Sequence, residues 1–191
     1  RLNADQDPTS LSSWMNDPAM LGARIILSTD APWVREGASH CLWEALAAAG
    51  IPVALAPAGN MQLVTRIAQA HPRLSIMIDH MGARVHHKGA VAFAQIDQVV
   101  QLATLPNVAV KATSLPSYSA RQRPWPDVLP YLRRLFDAYG AQRLFWGSDL
   151  SRLPCPYSDL VTTFRDAFGW LAAKDRDAVM GMAIREWLNW K

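Results

Sequence analysis

The sequence predicts an α/β fold built on a parallel sheet. Two observations carry this expectation: strand-like and helix-like stretches alternate through five strands, and the strand-like runs are continuously apolar rather than alternating. Strands of that kind are covered on both faces, as parallel strands are. The clearest is Leu74-Ser-Ile-Met-Ile78, which delivers Asp79 and His80 to its carboxyl end and stops at Gly82. With 191 residues, half of them hydrophobic, the chain is long enough to bury the core of one domain.

In order, a polar beginning (Arg1 to Ser10) leads to a short helical or irregular segment, Leu11 to Leu21, in which Asp17-Pro18 favours a turn or helix start. The first strand is Gly22 to Leu27. Ser39 to Ala49 reads as a helix capped by Ser39 and closed by Gly50, with Leu42, Ala45 and Leu46 on one face. Pro52 to Ala56 is the second strand, and Met61 to Ala70 a helix ended by His71-Pro72, which places His71 at the pole opposite a site. The strand with Asp79 and His80 follows, then a polar loop, Ala83 to Gly89, long enough to belong to a site. Ala92 to Ala103 has Phe93, Ile96, Val99 and Val100 spaced for one helical face. Asn107 to Ala112 is the fourth strand and Ser114 to Arg123 a polar loop. Trp125 to Tyr139 reads as a helix started by Pro126 and ended by Gly140, with Leu129, Leu132, Leu135 and Phe136 inward. The last strand is Leu144 to Asp149; helices over Ser158–Phe168 and Lys174–Leu188 close the chain, with Trp170, Trp187 and Trp190 as packing residues.

Composition narrows the function. Nineteen basic and sixteen acidic side chains give a net charge of +3 without the lysine-arginine block of a nucleic-acid binder. The longest apolar stretch, Ala45 to Ala58, is broken by Gly50, Pro52 and Pro57 and is shorter than the roughly 20 residues of a membrane span. Nothing at the amino terminus resembles a signal peptide. Cys41 and Cys155, far apart and without a C-x-x-C pattern, fit a reduced cytoplasmic protein in which both are structural. No strand is followed by G-x-G-x-x-G, and there is no P-loop.

Ligands of parallel α/β sheets sit beyond the carboxyl ends of the strands, so two strand ends stand out: Asp79-His80 and Gly147-Ser148-Asp149. A carboxylate there can ligate a metal or act as a general base, and a neighbouring histidine can serve as acid, base or electrophile. The plainer alternatives are a hydrogen-bonded loop histidine and a turn or N-cap aspartate.

Four motifs taken together resemble a known family. Asp79-His80-Met-Gly82, Val110-Lys-Ala-Thr-Ser114, Trp146-Gly-Ser-Asp149 and the terminal Met180 to Trp190 have the order and spacing of the amidohydrolase-2 family of metal-dependent hydrolases, over about the last 120 residues. The branch most resembled contains the 2-pyrone-4,6-dicarboxylate lactonases and related sugar-lactone hydrolases. The resemblance implies a (β/α)8 barrel in which the five strands here are the fourth to eighth. Residues 1–191 would then be the carboxyl-terminal part of one barrel domain, lacking strands 1 to 3 and the His-x-His pair that the family carries on its first strand; His86-His87, being adjacent, do not replace it.

By the same resemblance, His80 lies at the reacting carbonyl and Asp149 activates water, while Arg24 and Arg84 match the family's arginines for substrate carboxylates. Ser114, Tyr118 and Lys111 are weaker candidates in the same mouth. Asp149 would also be the metal ligand if a divalent ion such as zinc is bound; the chain offers at best Asp149 and His80, and a metal-free site stays open. Decarboxylating relatives carry a further histidine on the fifth strand, where Val53-Ala-Leu-Ala-Pro57 has no ligand, and Leu150-Ser151-Arg152 stands where the family has a Trp-Pro-His run. The implied function is hydrolysis of a lactone or similar carboxylated small molecule, with no nucleic-acid or membrane partner and with homo-oligomerisation open. A metal-dependent decarboxylase and a non-catalytic α/β binding module are the alternatives.

Overall fold

A computed structural model describes residues 11, 13–14, 16–27, 40–57 and 59–190. Five strands form one sheet: β1 (Ala23–Ile26), β2 (Val53–Ala56), β3 (Ile76–Ile78), β4 (Val108–Thr113) and β5 (Leu144–Gly147). All four pairings are parallel and the spatial order equals the chain order. Between β1 and β2 lies α1 (His40–Ala48), and between β2 and β3 lies α2 (Met61–Ala70). The helical turn α3 (Gly89–Ala92), α4 (Ile96–Gln101) and a 3-10 turn at Leu102–Thr104 lead to β4. The connection to β5 holds α5 (Leu115–Tyr118) and α6 (Leu129–Tyr139); α7 (Tyr157–Ala167), α8 (Ala173–Asp177) and α9 (Ala183–Trp187) follow it. Among the described residues no helix is long and apolar enough to cross a membrane.

Successive strand residues point to opposite faces, and here the two faces bury different cores. Val53 and Leu55, Ile76 and Ile78, and Val108 and Val110 pack outward with Leu46, Val64, Ile67, Val99, Leu132 and Leu135 of the helices. The intervening Ala54, Met77 and Ala109, with Phe145, form a second cluster with Ala178 and Ala183 from the end of the chain. Because β4 alternates, Lys111 and Thr113 continue the face of Ala109, and Arg24 is in register with Ala54. Polar groups on this inner face therefore collect near the carboxyl ends of the strands, above the small second core.

Several boundaries differ from the sequence reading. The expected helix over Ala92–Ala103 starts at Gly89 and is interrupted at Phe93 to Gln95 before α4. Trp125 does not open a helix: its φ is 57°, and α6 starts at Leu129, with Pro130 in its first turn. The stretch read as a polar loop after Ser114 contains α5, whose Leu115, Pro116 and Tyr118 are buried. β5 ends at Gly147, short of Asp149. The last helix is interrupted over Ala178–Met182, where five residues form a π turn around Gly181. Asn60 caps α2, and His71 terminates it as expected. The proposed Ser39 cap lies outside the described residues.

Two packing expectations also change. Trp187 faces Phe145 at 5.8 Å between ring centroids, but Trp190 is 52% exposed and Trp170 41% exposed. Trp170 nonetheless packs edge-on against Phe136, with 5.0 Å between ring centroids, and the Arg133 guanidinium lies 4.0 Å from the centroid of its ring. Cys155 is half-buried, whereas Cys41 is exposed and so is not a core residue.

Candidate active site

Three strands end on non-glycine residues in the left-handed region. His80 beyond β3 has φ 51°, Ser114 beyond β4 has φ 58° and Asp149 beyond β5 has φ 52°. Such conformations are costly for side chains with a Cβ and persist where surrounding contacts over-determine them. Their effect here is to turn each side chain back over the sheet. At His80 the turn is completed by Met81 and Gly82, also at positive φ. A Cβ on Gly82 would stand 2.6 Å from Val99 Cγ2, so glycine is required there for space as well as for conformation.

The result is a compact polar cluster. His80 is 8% exposed, its Nδ1 is 2.7 Å from Thr113 Oγ1, and its Nε2 is 3.8 Å from Asp149 Oδ2. Ser114 Oγ donates a hydrogen bond to the same Asp149 oxygen. Gly147, in register with Thr113, leaves the room that the threonine methyl occupies: a Cβ there would lie 2.8 Å from Thr113 Cγ2. Beside this pair, the fully buried Asp79 carboxylate accepts from Arg24 Nε at 2.6 Å and from Lys111 Nζ at 2.7 Å. Arg24, Asp79, His80 and Asp149 all line one cavity of about 330 Å³, joined by Arg152 and, on its apolar wall, by Ile26, Ala56 and Pro57.

Charge and burial set the protonation states. Burial pushes the His80 imidazole below its ordinary value; the Asp79 and Asp149 carboxylates oppose this, and Lys111 and Arg24 reinforce it. Burial alone would raise Asp79, but the Lys111 ammonium and the hydrogen bonds from Lys111 and Arg24 outweigh it and hold the carboxyl low. His80 is thus neutral at pH 7. Because the folded state binds this proton less readily than the unfolded chain, His80 costs no stability above the unfolded value of about 6.5 and costs progressively more as pH falls below it. We expect its imidazole resonances to titrate below 6.5 when followed by NMR; a midpoint at or above 6.5 would show that the carboxylates, not burial, govern the ring.

The sequence-selected residues are gathered unevenly. His80, Asp149, Ser114 and Arg24 meet in this cluster, and Lys111 reaches it through Asp79. Tyr118 is buried, its ring 6.3 Å from that of His80, and its hydroxyl is raised above its ordinary value by burial. Arg84 is exposed and does not line the cavity, although its neighbours Ala83 and Val85 do. Thr113 and Arg152 are not among the sequence candidates, and Asp79 is named there only as a strand-end carboxylate, without its partners. The signal for Thr113 was legible: with Lys111 it is polar on the inner-face positions of a strand whose outer positions are Val108, Val110 and Ala112. Zinc takes three or four protein ligands, and among the described residues no group of three His, Cys, Asp or Glu side chains could hold an ion. His80 and Asp149 alone fall short of such a set, so every step derived below uses the chain's own groups.

Comparisons with known proteins agree with this architecture. The family model described as Amidohydrolase matches residues 9–190. L-fucono-1,5-lactonase of Burkholderia ambifaria is 30% identical over 177 residues, which are 90% of this chain and 58% of the lactonase. Among solved structures, an amidohydrolase from Burkholderia multivorans with bound zinc superposes with a TM-score of 0.74 at 22% identity, covering 88% of this chain and 64% of that one. A protein from Acinetobacter baumannii described as a 2-pyrone-4,6-dicarboxylic acid hydrolase, with citric acid bound, gives 0.76 at 15% identity, covering 98% and 71%. The chain therefore spans less than two thirds of the curated lactonase it matches.

Proposed function

The chain belongs to the amidohydrolase family, and from that premise we propose that it forms the carboxyl-terminal part of a (β/α)8 barrel hydrolase that opens a carboxylated lactone by attack of water on its carbonyl. The observation that carries this reading is the convergence of His80 and Asp149, from strand ends 69 positions apart, on one cavity with Arg24. Asp149 is the general base: it accepts the proton of the attacking water while Ser114 holds its Oδ2. With Thr113 donating to His80 Nδ1, the neutral imidazole carries its proton on Nε2 and presents it to the carbonyl oxygen, stabilising the oxyanion that forms. Collapse of the tetrahedral intermediate breaks the ring C–O bond, and the proton held by Asp149 passes to the leaving alkoxide. Arg24, its Nε held by Asp79, offers the outer edge of its guanidinium to a substrate carboxylate.

The names of the relatives support a lactone as substrate, the Burkholderia ambifaria protein being an L-fucono-1,5-lactonase. The test is a pH-stat assay of the complete protein against sugar δ-lactones and carboxylated 2-pyrones. Hydrolysis with one equivalent of acid released per ring opened is the expected result. Turnover of a carboxylated aromatic with release of carbon dioxide, and none of the lactones, would replace this reading with the decarboxylase.

A further inference from the structure

We propose that His40 and His71 form a second site, outside the catalytic cavity, that takes a divalent transition-metal ion of the imidazole-binding class, copper(II) most tightly. His40 opens α1 and His71 ends α2, and neither lines the cavity of His80 and Asp149. His40 Nδ1 lies 3.3 Å from His71 Nε2. Hydrogen bonds from nitrogen usually measure roughly 2.7–3.2 Å, whereas two metal–nitrogen bonds of about 2.0–2.1 Å that meet at roughly 110° span this very gap. The ring planes are inclined by 48° and the centroids are only 5.0 Å apart. The rings therefore bend at their nitrogens, as two ligands of one ion do, rather than meeting head-on.

Each ring is prepared by different neighbours. Glu44, one helical turn further along α1, places its Oε1 3.3 Å from His40 Nε2. It draws the proton of the neutral ring to that nitrogen, so Nδ1 keeps the lone pair that a metal needs, with the carboxylate behind the ligand. His71 is buried and its backbone is fixed. Its N–H donates to Ile67 O at 3.0 Å, and its carbonyl accepts from Leu74 N–H at 2.9 Å and from Asn107 Nδ2 at 3.2 Å. One ligand is thus held by the fold, and the other, exposed, can adjust to the ion. Two protein nitrogens fall short of the three or four ligands of a zinc site. Copper(II) heads the affinity order of the divalent first-row metals for a given nitrogen site, so it is the ion this pair selects, with water completing the coordination. Closure to the tetragonal angle of copper(II) asks the His40 ring to move by about half an ångström. A bound ion joins α1 to the corner between α2 and β3 and stabilises the folded chain without touching the catalytic groups.

The test is metal binding to the complete native protein, with copper(II) and then zinc as probes, followed by calorimetry, electron paramagnetic resonance and NMR. The expected copper(II) spectrum carries the hyperfine pattern of two nitrogens. Substoichiometric copper should broaden the imidazole resonances of His40 and His71 ahead of those of His80, and zinc should bind the same place about tenfold or more weakly. His40→Gln changes an exposed side chain and should fold normally, yet lower the copper affinity by about a hundredfold or more. Glu44→Gln, which removes the charge that aligns His40 and leaves both ligands in place, should weaken binding by about 10- to 100-fold. Copper affinity equal in the native protein and in His40→Gln, or broadening that begins at His80, would overturn the inference. Neither result bears on the hydrolytic reading, because His40→Gln is expected to keep the native kcat on whatever substrate the cavity turns over.

Discussion

Asp149→Asn is expected to lower kcat for lactone hydrolysis by about 10²- to 10⁴-fold, the usual contribution of a positioned general base. Asparagine keeps the size and one acceptor oxygen of the side chain, so Ser114 Oγ still has a partner and the turn after β5 keeps its anchor. The substitution removes the one property the mechanism requires, a carboxylate that can take a proton from water. The left-handed backbone at this position is tolerated by asparagine as well as by aspartate, so the strand end should not rearrange. The melting temperature should accordingly stay within a few degrees of the native value. Steady-state kinetics with a thermal melt on the same sample is the check. A variant that retains more than a tenth of native kcat would remove Asp149 from the base role, and the cavity would need another proton acceptor.

That experiment addresses a residue the sequence could single out, and the reason it could is directional. A continuous apolar run fixes a parallel strand, and its carboxyl end fixes which residues face the ligand side. That argument finds His80 and Asp149 without knowledge of what lies between them. It also brings Asp79 forward, one residue earlier on the same turn, but not the partners of that carboxylate. Its contacts, Arg24 at a separation of 55 residues and Lys111 at 32, depend on sheet order and register, which no local pattern encodes. Arg84 and Arg152 show the same limit in reverse: two arginines in polar loops near strand ends look alike in sequence, and only the folded chain distinguishes Arg152, which lines the cavity, from Arg84, which does not. Helix starts were misread for a local reason. Trp125-Pro126 has the composition of a first helical turn, but the positive φ at Trp125 defers the helix to Leu129.

Asp79→Asn should destabilise the fold more than any other change in the cluster, because it leaves two cations without the buried carboxylate between them. Breaking a buried ion pair costs about 3–5 kcal/mol when the remaining charge cannot reach water. Here it partly can: the Arg24 and Lys111 side chains are 38% and 24% exposed, against none for Asp79. The lower end of that range, about 3 kcal/mol, is therefore expected, or on the order of 6–12 °C in melting temperature for a chain of this length. The pH dependence gives the independent check. The Asp79 carboxyl titrates below its ordinary value in the folded state, so its contribution is fully present above the unfolded value of about 3.9 and is lost as pH falls through the lower folded one. Urea titrations of the native protein and of Asp79→Asn should differ by about 3 kcal/mol at pH 7, and the gap should narrow as pH falls below the unfolded value. Equal stabilities at neutral pH would mean that Arg24 and Lys111 are held by water and backbone instead, and that Asp79 neither ties β1 to β4 nor orients the arginine facing the substrate. A gap that persists unchanged into acid would point to lost packing, since asparagine and a protonated aspartate then differ only in shape and hydrogen bonding.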